Sequence, residues 1–259
     1  MEKLVIIPTY NEKENVEPII QAVLGLNKGY HVLIIDDGSP DGTADIVRRL
    51  IPSSGGSLFL EERKGKQGLG TAYIHGFRWA LNRGYRYIFE MDADFSHNPA
   101  DLERLYKVCT EGAGMSVGSR YVKGGAVENW PWDRILLSRG ASLYTRLITW
   151  MPIKDPTAGF VCYRHDVLEQ LNFDAIHFVG YAFQIEMKFA VWKLNFLIAE
   201  VPITFRDRKY GDSKMNKGIV KEGIWGVLKL RWLSLFKNYR SSVKNNSTGP
   251  HAATNTAQA

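Results

Sequence analysis

Two acidic clusters, each placed where a strand should end, carry the chemistry of this chain. The first, Asp36-Asp37-Gly38-Ser39-Pro40-Asp41-Gly42-Thr43, follows the apolar run Val32-Leu33-Ile34-Ile35. The second, Asp92-Ala93-Asp94, follows Tyr87-Ile88-Phe89-Glu90-Met91. Carboxylates gathered this closely repel one another unless a cation or a hydrogen-bond donor compensates them. The Asp-x-Asp spacing suits a hard divalent metal holding a diphosphate, which points to chemistry on a nucleotide-linked substrate. A third polar segment, Pro8-Thr9-Tyr10-Asn11-Glu12, ends the run Leu4-Val5-Ile6-Ile7. An exposed Tyr10 ring can stack on a base, and Glu12 and Asp37 can accept from base or ribose donors. Taken singly, the first and third segments read equally as strand stops, turns and helix starts. Together the three clusters converge on one crevice, because ligands of open α/β sheets bind outside the carboxyl ends of the strands.

The elements that must position these groups alternate. Strands are predicted at Leu4–Ile7, Val32–Ile35, Leu58–Leu60, Tyr87–Met91 and Met115–Gly118. Between them, helices are predicted over Glu12–Leu26 with Asn11 as cap, Asp41–Leu50, Gly70–Asn82 and Pro99–Cys109. Such alternation implies an α/β fold with a mostly parallel sheet flanked by helices. Gly68-Leu69-Gly70 follows the third strand and does not complete a dinucleotide fingerprint. The second half changes character: a helix rich in large apolar residues over Ile135–Trp150, a strand at Phe160–Tyr163, a helix over Tyr181–Leu194 and a strand over Phe196–Ile203. A polar basic loop, Arg206–Asn216, leads to a last helix from Lys217 to Tyr239. Residues 241–259 are small and polar and are expected to be disordered, leaving one domain over 1–240.

The 259 residues are 45% hydrophobic and 23% charged, as in an ordinary globular protein. The net charge of +6 permits nucleic acid, anionic lipid or phosphorylated substrates as partners. Nucleic acid is not expected, because no recognised motif is present and acidic strand ends repel a phosphate backbone. Cys109 and Cys162 have no metal-ligand spacing and read as small core residues in a reducing compartment. Met1-Glu2-Lys3 leads directly into a strand pattern, so no signal peptide is expected. No apolar run reaches the ~18 residues of a spanning helix.

The constellation resembles glycosyltransferase family 2, the nucleotide-sugar enzymes with an Asp-x-Asp metal motif and a GT-A-type fold. Within that family the chain is similar to the dolichol-phosphate mannose synthases. The similarity runs through Asp37–Thr43, Gly68–Gly76 and Met91-Asp92-Ala93-Asp94-Phe95-Ser96-His97, then Gly118–Tyr121 and Ser138–Ala141. It continues through Gly180-Tyr181-Ala182-Phe183-Gln184-Ile185-Glu186, Glu200–Phe205 and Asp207–Lys214, covering roughly residues 3 to 235. The resemblance implies that Pro8, Tyr10, Glu12, Ile35 and Asp37 hold the guanosine of GDP-mannose. It implies that Asp92, Ala93 and Asp94 meet ribose, diphosphate and a Mg²⁺ or Mn²⁺ ion, with Ser96 where some relatives carry a metal-binding glutamine. Arg120, Arg208 and Lys214 would grip the donor phosphates, Gly211 giving their loop freedom to close. Arg134, Ser138 and the neighbouring Arg139 would meet the phosphate of a polyprenyl acceptor. The acceptor oxygen is already anionic near neutral pH, so no strong base is needed and direct attack inverts the anomeric carbon. A UDP-sugar such as UDP-glucose is the alternative donor, and a nucleotide binder without transfer activity the alternative class. A processive polysaccharide synthase is excluded, since Arg231-Trp232 is preceded by Leu228 where a Gln-x-x-Arg-Trp motif needs glutamine.

A lipid acceptor demands membrane contact. The helices at about 135–151 and 217–239 mix Trp and Leu with Arg and Lys, which suits helices lying in the headgroup layer. The expectation is a peripheral enzyme on the cytoplasmic membrane face, alone or with a membrane partner subunit.

Overall fold

The first βαβ unit sets the frame. The run Lys3–Thr9 forms β1 and Tyr30–Asp36 forms β2, paired in parallel with Thr9 opposite Asp36. Both strands are buried on both faces, which is why they read as continuous apolar runs rather than alternating ones. Leu4, Ile6, Leu33 and Ile35 point to one core with Tyr73 and Phe77, while Val5, Ile7, Val32 and Ile34 point to another with Ile19 and Val47. The chain is seen here in a computed structural model that describes residues 1–180, 182–207 and 217–241.

The remaining elements follow in order: α1 (Val16–Leu24), α2 (Thr43–Leu50), β3 (Leu58–Glu62), α3 (Leu69–Asn82), β4 (Tyr87–Glu90), α4 (Leu102–Thr110) and β5 (Met115–Ser119). Then come β6 (Ala126–Glu128), α5 (Trp132–Thr149), β7 (Val161–Arg164), α6 (His165–Gln170), α7 (Ala182–Lys193), β8 (Ile198–Pro202), β9 (Thr204–Arg206) and α8 (Lys217–Leu233). Seven strands make one sheet in the order β3-β2-β1-β4-β7-β5-β8. All neighbours are parallel except β7, which runs antiparallel to β4 and to β5. The strand order reverses at β1, between β2 and β4, and this is the switch point where an open α/β sheet forms its crevice. Asp37 N–H donates to Thr9 O at 3.0 Å and Met91 N–H to Ile6 O at 3.2 Å, so the ends of all three strands lie side by side.

Several boundaries differ from expectation for local reasons. The first helix begins at Val16, not Glu12, because Asn11 is left-handed (φ 58°) and residues 12–16 close a turn on the Glu12 carbonyl; Asn15, not Asn11, takes the cap position. Pro99–Asp101 is a 3₁₀ turn that precedes α4. Left-handed Asn195 delays β8 to Ile198. The last helix ends at Leu233, six residues short of Tyr239. The parallel pair β6–β9, three residues each, was too short to carry a pattern. The expected tail beyond residue 241 and the loop from Arg208 to Asn216 lie outside the described residues.

Candidate active site

Most of the first acidic cluster folds the chain. Asp36 is buried and accepts from the Thr9 hydroxyl at 2.9 Å, the Ser39 N–H at 2.8 Å and the Ser39 hydroxyl at 2.6 Å. Asp41 accepts from Thr43 N–H and hydroxyl and from Lys13 N–H, starting α2. Burial works to raise its pKa, and those hydrogen bonds outweigh it and hold the carboxyl below its usual value. Asp37 stands apart at the crevice. It is buried against Arg63, whose Nε donates to it at 2.6 Å while Nη1 donates to Thr71 at 2.8 Å. The Lys66 ammonium sits 5.1 Å from the Tyr10 ring centroid. Ile35 is fully buried beneath this corner, and Glu12 accepts from Asn15 at 2.9 Å. Pro8, Tyr10, Glu12, Ile35 and Asp37 therefore lie together at the β1–β2 ends.

The second cluster is built differently. A left-handed Phe95 (φ 61°) turns the chain back, so that Ser96 and His97 fold onto the aspartates. Ser96 N–H donates to Asp94 Oδ1 at 3.1 Å, and the Ser96 hydroxyl makes a short bond to the same oxygen. His97 Nδ1 accepts the Asp92 N–H at 3.2 Å, which leaves the ring proton on Nε2. The ring is stacked on Phe160, 4.8 Å between centroids. Burial lowers the His97 pKa to about 4, with Asp94 acting against that shift, so the imidazole is neutral. Asp92 is the more open carboxylate, its side chain 38% exposed, while Asp94 is buried.

These residues fit a divalent metal that keeps substrate oxygens in its shell. Among the described residues no group of three or more His, Cys, Asp or Glu forms a cage. Two carboxylates at a cavity mouth are what Mg²⁺-type chemistry uses when phosphates complete the coordination. Ser96, expected as a ligand, donates its hydroxyl to Asp94.

Asp92, Asp94, Ser96, Arg120, Arg134 and Ser138 line one cavity of about 850 Å³. It runs from the aspartates beneath α5, past Leu136, Leu137 and Tyr144, to Ile185 of α7 and Val227 of α8. The Arg120 guanidinium donates to Asp155 through Nε and Nη2, both at 2.7 Å, and to Thr157 at 2.8 Å. Arg134 pairs with Asp207 at 3.2 Å and lies 3.9 Å from the Trp130 ring centroid. The Tyr121 hydroxyl donates to Ser138 at 2.7 Å. Arg139, expected beside Arg134 and Ser138, does not line this cavity. It borders a smaller one with Tyr121, Ser142, Leu143, Arg146 and Lys154. Arg208 and Lys214 lie outside the described residues.

Sequence reasoning gave no role to the layer behind the aspartates. Glu90, fully buried, accepts from Tyr163 at 3.2 Å and from Gln184 at 2.6 Å. Gln184 also accepts from Lys188, whose ammonium donates to Ala158 O at 2.6 Å. Burial raises the Glu90 carboxyl and lowers the Lys188 ammonium, and each charge acts against the other's shift. Gln184 reaches the cavity wall and joins this network to it.

Residues 4–171 match the model of "Glycosyl transferase family 2". The polyprenol monophosphomannose synthase of Mycolicibacterium smegmatis is 44% identical over 229 residues, 86% of each chain. The undecaprenyl-phosphate mannosyltransferase of Micrococcus luteus is 43% identical over 240 residues, 91% of this chain and 98% of that one. Among solved structures, glucosyl-3-phosphoglycerate synthase from Mycobacterium tuberculosis, in complex with Mn²⁺, UDP-glucose and glycerol 3-phosphate, superposes with a TM-score of 0.65 at 16% identity. That match covers 89% of this chain and 80% of the other. Mannosyl-3-phosphoglycerate synthase from Rubrobacter xylanophilus gives 0.65 at 16% identity over 96% and 80%. The chain belongs to glycosyltransferase family 2, with a GT-A-like fold, and is a glycosyltransferase.

Proposed function

We propose that the protein transfers mannose from GDP-mannose to a polyprenyl monophosphate, with inversion, at a membrane surface. The observation that carries this reading is the cavity itself: its polar end holds Asp92 and Asp94, and its other end is apolar and opens under α5 and α8. Names of relatives at 43–44% identity point to the same donor sugar and acceptor class.

In this reading the β1–β2 corner, with Tyr10, Glu12, Ile35 and Asp37, receives the base and ribose. Asp92 and Asp94 would hold Mg²⁺ or Mn²⁺, which when bound neutralises the diphosphate and helps it leave. Ser96 and His97 fix the aspartates before substrate arrives, so little reorganisation is needed at the moment of reaction. Arg120, Arg208 and Lys214 add positive charge at the donor phosphates. Arg134 and Ser138 receive the acceptor phosphate, whose own oxygen attacks the anomeric carbon. The neutral His97 and the buried Glu90 are not needed as bases for an oxygen that is already ionised.

Eleven large apolar side chains exposed along and after α5 and α8 support the membrane part of the proposal: Trp132, Leu136, Leu137, Leu143, Leu147, Trp150, Trp225, Leu228, Trp232, Leu235 and Phe236. Among the described residues no helix is long and apolar enough to cross a bilayer, so these faces suit an interfacial position, on the cytoplasmic side where nucleotide sugars are made.

The test is a transfer assay with a short polyprenyl phosphate, GDP-mannose or UDP-glucose, and Mg²⁺ or Mn²⁺. Mannosyl lipid from GDP-mannose, abolished by EDTA and by Asp94→Ala, is the expected result. Transfer only from UDP-glucose would overturn the donor, and an α-linked product would overturn inversion.

A further inference from the structure

The smaller cavity, about 340 Å³, lies on the opposite flank of α5 from the catalytic one. Arg139 and Arg146 are two helical turns apart and share a face, and Lys154 joins them from the segment after α5. Three cations therefore line one concavity whose described lining contains no carboxylate. Asp155 and Glu200, the acids beside Lys154, are engaged elsewhere. Asp155 binds Arg120, and Glu200 accepts the N–H groups of Lys154 at 2.8 Å and Asp155 at 2.9 Å.

Two buried polar atoms in this lining, Ser142 Oγ and Arg146 Nε, have no hydrogen-bond partner. Buried polar groups left unpaired are costly and rare. Both atoms are closed off from solvent as the side chains stand, so an anion between Arg139 and Arg146 reaches them through a side-chain shift that would pair them. Between the two cavities on α5 runs the exposed ridge Trp132, Leu136, Leu143, Leu147, with Trp132 and Leu136 bordering the larger cavity and Leu143 the smaller. Cations flanking an apolar ridge place an anion at headgroup depth when the ridge meets acyl chains.

We propose that Arg139, Ser142, Arg146 and Lys154 form a binding site for the phosphate of an anionic phospholipid headgroup, separate from the catalytic cavity. This site rests on the membrane-surface reading above. It orients α5 on the bilayer and leaves the catalytic cavity, on the helix's other flank, open for the acceptor.

The experiment measures partition of the full chain onto phosphatidylcholine vesicles with and without phosphatidylglycerol. The wild type is expected to prefer the anionic vesicles. Arg146→Gln and Lys154→Gln should each weaken that preference about fivefold, near the worth of one cation at an anionic surface. Arg146→Lys should recover part of it. Lys107→Gln, the same charge change on α4, should leave it unaltered. Equal losses in Lys107→Gln would mean diffuse surface charge and overturn the site. A wild type that binds both vesicle types equally would also overturn it, while keeping the membrane reading. Binding to neither would sink both. Inorganic phosphate that competes at low concentration, and whose binding Arg146→Gln abolishes, would assign the site to a soluble anion instead of a lipid.

Discussion

Asp155 is fully buried and receives three hydrogen bonds from Arg120, through N, Nε and Nη2. It fixes a guanidinium that lines the candidate catalytic cavity, so truncation should act on both stability and transfer. Breaking a buried pair by removing one partner leaves a charge unpaired, and Asp155→Ala should cost about 3–5 kcal/mol in urea denaturation. The pair also predicts a pH dependence. Burial tends to raise the Asp155 pKa, and Arg120 outweighs it, so the folded value lies below the unfolded one. A depressed carboxyl contributes stability fully above its unfolded pKa of about 3.9. That contribution is lost as pH falls below this value toward the folded pKa. The acid limb of the stability curve should be shallower in Asp155→Asn than in the wild type. An unchanged limb would show that other carboxylates carry it. Lys188→Met removes the cation that acts against the burial of Glu90 but leaves Glu90 its hydrogen bonds from Tyr163 and Gln184. Its thermal unfolding should be lowered by less than that of Asp155→Ala, while Leu197→Met, at an exposed site, changes nothing. At this scale the sequence was partly legible. Asp92 and Asp94 announce themselves by residue type and spacing at a strand end, whereas Arg120, Arg134 and Ser138 are indicated only by the family resemblance; the structure brings all five to one cavity. Asp155, Gln184 and Lys188 do not, because their partners lie 35, 94 and 30 residues away and only tertiary packing joins them.

Elements position these residues through close approach. Gly76 of α3 faces β1 and β2, where an added Cβ would meet Ile35 Cδ1 at 2.8 Å and Ile6 Cδ1 at 2.9 Å. Both neighbours are fully buried and have nowhere to move. Overpacking of this kind costs about 1–3 kcal/mol. Gly76→Ala should therefore lower the urea midpoint. It should also weaken GDP binding in calorimetry, since the displaced Ile35 lies under the proposed base site. Loss of stability with GDP affinity intact would separate that corner from nucleotide recognition. The alternation of strands and helices made the first half of the fold readable, because buried parallel strands appear as short apolar runs between amphipathic helices. What could not be read was direction. Nothing in Val161–Arg164 distinguishes an antiparallel insertion between β4 and β5 from another parallel strand. The left-handed residues Asn11 and Asn195 shift element starts by a few positions, and asparagine in a polar loop gives no sign of which φ it adopts.

The whole molecule joins two halves at the proposed catalytic cleft, one built from β1, β2 and their helices and one from α5, α7 and α8. In the proposed reading a nucleotide-sugar at the β1–β2 corner, with its diphosphate at Asp92 and Asp94, would touch both. Any ligand that binds only the folded state stabilises it by mass action, about 2.7 kcal/mol when present at 100 times its Kd. For a domain of roughly this size each kcal/mol moves the midpoint by about 2–4 °C. GDP with Mn²⁺ at such saturation should then raise the melting temperature by about 5–11 °C. GDP with EDTA should give a small fraction of that shift, because the paired carboxylates then face the diphosphate without a cation between them. Asp94→Asn should lose the metal-dependent part even where its own unliganded melting temperature matches the wild type. A full shift that survives EDTA would remove the metal from the donor site and leave the arginines and lysines to hold the diphosphate alone.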